Sequence, residues 1–120
     1  MANMKLPDPL SRRHLLDGGL ESAKALSLAQ AYLDVEREVE AIDFLAAAGP
    51  DSNSEARELL QQLQTAALER GDVFLMRVAS TALDEEPSAE TWRALAQTAS
   101  SAGRPQDAET AERLATVDVE

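Results

Sequence analysis

The sequence predicts an all-α fold of antiparallel helical hairpins, from its composition, its helix breakers and a recurring pattern of inward residues. The chain has 120 residues, of which 44% are apolar but 3% aromatic. Leu and Ala must therefore fill the interior, and both favour helices and close helix contacts. Glycine and proline clusters cut the chain into helix-length segments. A chain of this length fits one compact domain.

Residues 1–19 are predicted to form an N-terminal arm and a short helix. Asp8 can cap this helix, with Pro9 in its first turn. Gly18 and Gly19 supply the left-handed backbone conformations that end a helix. The main domain therefore begins after them.

Residues 20–120 are predicted to form that single domain, with six helices joined by short connections. The breakers between the helices are Gly49-Pro50, Gly71-Asp72, Glu86-Pro87-Ser88 and Gly103-Arg104-Pro105, with a softer turn near 34–36. The predicted helices lie near 20–34, 37–48, 54–70, 73–84, 88–102 and 105–117. Short connections favour antiparallel neighbours, so we expect hairpins at about 20–48, 54–84 and 88–117.

The first helix of each predicted hairpin carries the same spacing of inward residues: one position, then three, four and seven further on. The three sets are Ala25, Leu28, Ala29 and Tyr32; Leu60, Leu63, Gln64 and Ala67; and Trp92, Leu95, Ala96 and Ala99. They are offset by 35 and then 32 residues. This period is typical of a helix–turn–helix unit that stacks on its neighbours.

The stretch from Ala82 to Ala96 resembles a junction between tetratricopeptide repeats (TPRs). In that family a proline closes the turn after a second helix, as Pro87 would here, and a Trp opens the next first helix, as Trp92 would. Further matches are Gly103, Asp107-Ala108, Tyr32, Glu40-Ala41 and Leu45. The resemblance covers roughly residues 21–118 and implies a right-handed α-solenoid fragment of about three hairpins.

The middle hairpin departs from the TPR pattern. Gln64 occupies a position that is usually small, and Phe74-Leu75-Met76 stands where another small residue is expected. The Glu86-Pro87-Ser88 junction is one residue short of the pattern. Other helical-hairpin repeats would also explain this unit, so the α-solenoid prediction does not depend on the family.

The charge balance bears on the kind of partner. Eleven Lys and Arg against 22 Asp and Glu give 11 − 22 = −11. Such a surface repels phosphate backbones and anionic lipid, so neither nucleic acid nor a membrane is expected as a partner. Arg12-Arg13-His14 is the one basic cluster. The absence of cysteine is compatible with a cytoplasmic location.

We expect no enzymatic activity, no cofactor and no metal site. His14 is the single histidine, and no cysteine is available as a nucleophile or ligand. Asp84-Glu85-Glu86 could be read as a calcium site, but it lacks the alternating acidic loop, and a solvated helix end is the preferred interpretation. Trp92 could anchor an interface, yet its place in the repeated spacing predicts core packing.

The sequence therefore favours a protein–protein interaction module, an adaptor or scaffold, that binds a peptide or helix on the concave face formed by its first helices. A basic or amphipathic partner suits the charge. Two alternatives remain open: a small acidic chaperone like the repeat-containing chaperones of bacterial secretion, and a self-associating structural protein or homo-oligomer. The predicted partner-binding residues are Ser27, Gln30, Asp34, Gln62, Thr65, Glu69, Arg93, Gln97 and Ser100.

Overall fold

The computed structural model describes residues 21–117, and every regular element in this range is an α-helix. The helices are α1 Ser22–Asp34, α2 Glu38–Ala48, α3 Ser54–Arg70, α4 Val73–Ala82, α5 Ala89–Ser101 and α6 Pro105–Val117. They pack largely as consecutive hairpins, α1 with α2, α3 with α4 and α5 with α6. The all-α prediction and the three hairpins are confirmed. The predicted arm and short helix within residues 1–19 lie outside the described residues.

The helix ends explain the small differences from the predicted boundaries. We predicted that α4 would run to about residue 84, but it ends at Ala82. Asp84 has a left-handed backbone with φ of 57°, and the Glu85 amide donates back to the Ser80 carbonyl oxygen at 2.9 Å. This pattern closes the last turn of a helix. Glu36, with φ of 59°, has the same role after α1.

Side-chain caps begin three of the helices. Asn53 Oδ1 accepts a hydrogen bond from the Ala56 amide at the start of α3. Asp72 Oδ1 accepts one from the Leu75 amide at the start of α4, and Ser88 Oγ accepts one from Thr91 at the start of α5. Each cap satisfies a backbone donor that has no partner within its helix. The polar residues beside the breakers therefore determine where these helices begin.

The described residues form two compact units, divided within α3 between Leu60 and Gln61. The first unit holds α1, α2 and the start of α3. At its centre the rings of Tyr32 and Phe44 stack with their centroids 5.4 Å apart, and both side chains are fully buried. Ser22 Oγ donates to the Ala48 carbonyl oxygen at 2.7 Å, which joins the start of α1 to the end of α2.

The second unit holds the rest of α3 with α4, α5 and α6. Its core is lined by Met76, Trp92 and Leu95, each at most 5% exposed. Gly71, in the turn between α3 and α4, lies directly against α5. A Cβ atom at Gly71 would come within 2.4 Å of the Ala99 Cα, so the close approach depends on a residue without a side chain.

The recurring inward positions are nearly all buried. Eleven of these residues are buried, and the twelfth, Gln64, is partly exposed. Trp92 is 5% exposed, as the core interpretation predicts. None of the helices between residues 21 and 117 combines the length and the apolar character needed to cross a membrane.

Candidate functional site

The nine predicted partner-binding residues are all exposed on the first helices of the hairpins. Ser27, Gln30 and Asp34 belong to the first unit, and the other six belong to the second. The hydroxyls of Ser27 and Thr65 donate to carbonyl oxygens one turn earlier in their own helices, at 3.1 and 3.2 Å. Those two side chains are therefore free to act mainly as acceptors. That a partner binds these residues stays a prediction.

One groove of the second unit, here called the junction groove, lies where the chain passes from α4 to α5. It has a volume of about 340 Å³. Its lining residues are Gln64, Thr65, Leu68, Met76, Glu85, Glu86, Pro87, Ser88 and Thr91. Thr65, one of the predicted binding residues, therefore borders a concave surface.

The junction groove combines an apolar base with an acidic edge. The buried Met76 and the partly buried Leu68 both line the groove with carbon atoms, and these two side chains are here called its base. Glu85 and Glu86 are exposed at its edge. An apolar side chain would lose water contact at the base, while a cationic group would lie near the carboxylates.

Hydrogen bonds anchor both ends of the segment that carries Glu85 and Glu86. Glu85 follows the left-handed Asp84, and its amide is hydrogen bonded to the last turn of α4. Two residues beyond Glu86, Ser88 caps α5 through the Thr91 amide at 3.1 Å. The segment between the two helices is therefore fixed at both ends.

Gln64 lines the junction groove and forms a hydrogen bond with Ser80 on α4. This role was not predicted from the sequence. Gln64 Nε2 donates to Ser80 Oγ at 3.0 Å and lies 3.5 Å from Glu85 Oε1. The sequence signal was a polar residue at an inward position that is usually small. Leu68 and Met76 were also missed, because a groove base and an ordinary core position have the same pattern in sequence.

A second groove, here called the terminal groove, lies between α5 and α6 and has a volume of about 350 Å³. The predicted binding residues Arg93, Gln97 and Ser100 line its α5 side. Ala108 and Glu112 line its α6 side. The structure thus brings these three predicted residues together on one concave surface.

Within residues 21–117, no group of three or more His, Cys, Asp or Glu side chains is arranged to hold a metal ion. Asp84, Glu85 and Glu86 are exposed, in agreement with a solvated helix end. His14 lies outside the described residues. The residues that line the two grooves offer apolar surface and charged groups to a partner.

Comparison with protein-family models, with curated proteins and with solved structures finds no match to this chain.

Proposed function

We propose that this protein is a non-enzymatic interaction module that binds a basic or amphipathic peptide or helix of a partner protein. The observation that carries the proposal is the junction groove, in which the carbon surface of Leu68 and Met76 lies beside the carboxylates of Glu85 and Glu86. A partner with a large apolar residue next to Lys or Arg satisfies both parts of this groove. The predicted binding residue Thr65 borders it.

The net charge of the chain supports a basic partner. A formal charge of −11 attracts cationic segments over distances up to about a Debye length, roughly 8 Å at physiological salt. This attraction mainly accelerates encounter, while burial of an apolar anchor slows dissociation. The junction groove therefore supplies the apolar contact that slows dissociation of the partner.

The repeated spacing supports a TPR-like arrangement as the scaffold of this function. Each hairpin alone would leave an apolar stripe uncovered, and stacking of neighbours buries that stripe. In the proposed right-handed α-solenoid fragment, the first helices carry the exposed positions along one face. Ser27, Gln30 and Asp34 are the proposed binding residues of the first unit.

The test is affinity capture from the native source with the tagged wild-type chain and with Glu86→Lys. The control Glu109→Lys makes the same charge change at an exposed residue of α6 that does not line the junction groove. We expect a stoichiometric partner that Glu86→Lys loses and Glu109→Lys retains. Equal capture by both variants would remove the junction groove from the proposal.

A second variant separates the apolar contribution from the electrostatic one. Leu68→Ala removes carbon atoms from the base of the junction groove and leaves the carboxylates of Glu85 and Glu86 unchanged. With a synthetic peptide from the captured partner, this variant should raise the dissociation constant about tenfold or more, as expected for an apolar contact worth about 1.5–3 kcal/mol. Its salt dependence should equal that of the wild type, whereas Glu86→Lys should reduce it.

A further inference from the structure

We propose that the terminal groove is a self-complementary contact through which two copies of this chain form a symmetric dimer. Three of the side chains that line the terminal groove, Ala96, Ser100 and Ala108, are small, and Gln97 lies among them on the α5 side. Small residues allow the backbones of facing helices to approach closely. The groove therefore offers a helix of a second copy room to lie against α5 and α6.

The charges at the edges of the terminal groove indicate the occupant. Arg93 is exposed on α5 and Glu112 is exposed on α6, so the groove carries one charge of each sign on opposite sides. Neither side chain forms an ion pair with another described residue. Both charges are therefore available to a partner that presents a negative charge opposite Arg93 and a positive charge opposite Glu112.

A second copy of the same hairpin carries that arrangement. A two-fold axis parallel to the helices, running along the groove, places α5 of one copy over α6 of the other. Arg93 of each copy then faces Glu112 of the other, and the pair forms twice. A basic peptide of the kind proposed for the junction groove would instead meet Arg93 with a like charge.

The size of the contact predicts a weak dimer. Helices of 13 residues are about 20 Å long, and each helix is about 10 Å wide. Two neighbouring helices therefore present a face of about 20 Å by 20 Å, or about 400 Å². Stable complexes bury about 800 Å² per partner. The two copies, each with a formal charge of −11, also repel one another at long range. We therefore expect a reversible dimer that forms at high protein concentration.

Charge reversal tests the pairing, using sedimentation equilibrium of the purified chain up to millimolar concentration. Arg93→Glu alone and Glu112→Arg alone each place like charges opposite one another, and each should raise the dimer dissociation constant by at least about tenfold. Combining Arg93→Glu with Glu112→Arg restores opposite charges and should return the constant to within about threefold of the wild type. The double variant also keeps the wild-type net charge.

Matched controls separate this contact from general charge effects. Arg113→Glu and Glu109→Arg make the same changes in net charge at exposed residues of α6 outside the groove, and they should leave the dissociation constant unchanged. Circular dichroism verifies that every variant is folded. A chain that stays monomeric at all concentrations would overturn the proposal, as would single variants without effect or a double variant that is not restored.

Variants at two other surfaces, Phe74 and the junction groove, test whether the dimer forms through the terminal groove. The exposed Phe74 on α4 offers an alternative self-association surface, so a dimer lost in Phe74→Ser and kept in Arg93→Glu would overturn the terminal groove. Glu86→Lys, in the junction groove, should leave the dimer intact. Because these measurements need only the purified chain, failure of the dimer is distinguishable from failure of partner binding.

Discussion

Gln64 on α3 donates a hydrogen bond from Nε2 to the Oγ of Ser80 on α4 across 3.0 Å. Ser80 is 1% exposed, so its hydroxyl depends on partners within the protein. The Ser80 hydroxyl also lies 3.7 Å from the Met76 sulfur. A polar pair therefore joins the two helices of the middle hairpin, beneath the junction groove.

Removing one member of this pair should cost more than removing both. Gln64→Leu takes away the donor to Ser80 Oγ and is expected to lower the free energy of unfolding by about 1–2 kcal/mol, since this buried oxygen then keeps only the weaker contact with the Met76 sulfur. Adding Ser80→Ala to Gln64→Leu should recover part of this loss. Urea unfolding followed by Trp92 fluorescence measures each variant, and strictly additive effects would show that the two side chains are not coupled.

Gly71 and Gly103 form a matched pair of left-handed glycines, with φ of 72° and 76°. A Cβ atom at Gly71 would lie 2.4 Å from the Ala99 Cα, whereas one at Gly103 would meet nothing within 4 Å. Gly103→Ala should cost about 1–2 kcal/mol for the backbone conformation alone. Gly71→Ala should cost at least about 2 kcal/mol more, because α5 must shift. Similar melting temperatures for the two variants would contradict the close approach.

Glu36 and Asp84 are non-glycine residues with left-handed backbones, at φ of 59° and 57°. Replacing either with glycine relieves the steric cost and should raise the free energy of unfolding by about 0.5–1 kcal/mol. Glu58→Gly, at an exposed position inside α3, is the control and should lower it by about 1 kcal/mol. Thermal denaturation followed by circular dichroism distinguishes the expected stabilisation at positions 36 and 84 from the expected destabilisation at position 58.

Phe44 and Phe74 provide a comparison between a buried and an exposed aromatic residue. Phe44 is 0% exposed and stacks on Tyr32, while Phe74 is 60% exposed. Phe44→Leu should lower the free energy of unfolding by about 1–2 kcal/mol through lost packing and lost stacking. Phe74→Leu should change it by less than about 0.5 kcal/mol. Equal effects would contradict the assignment of Phe44 to the core of the first unit.

The predicted concave face can be tested without disturbing either groove. Gln30 and Gln62 are exposed on α1 and α3, and neither lines the junction groove or the terminal groove. Combined Gln30→Ala and Gln62→Ala should weaken partner binding by about threefold or more, as expected for lost hydrogen bonds. The matched control is Gln61→Ala with Gln106→Ala, and a partner that binds both double variants equally would exclude Gln30 and Gln62 from its contact surface.

Within residues 21–117, the type and number of the helices and most of their boundaries to within one residue were predictable, because they depend on neighbouring residues. Capping residues such as Asp72 and Ser88 act within one turn, and glycines such as Gly71 end a helix by a local backbone preference. The 3.6-residue period likewise places apolar residues on one face, so the burial of Leu28, Leu63 and Leu95 follows from their spacing. These features are encoded locally and need no knowledge of the final packing.

The grooves and the polar pair depended on the tertiary structure. Gln64 meets Ser80 because α3 and α4 pack together, although 16 residues separate them in sequence. The sequence pattern marks Gln64 as a departure but contains no information about which distant group its amide will reach. Arg93 and Glu112 likewise border one groove because of how α5 and α6 fold together. Local preference determined which helices form, and long-range packing decided which of their side chains meet.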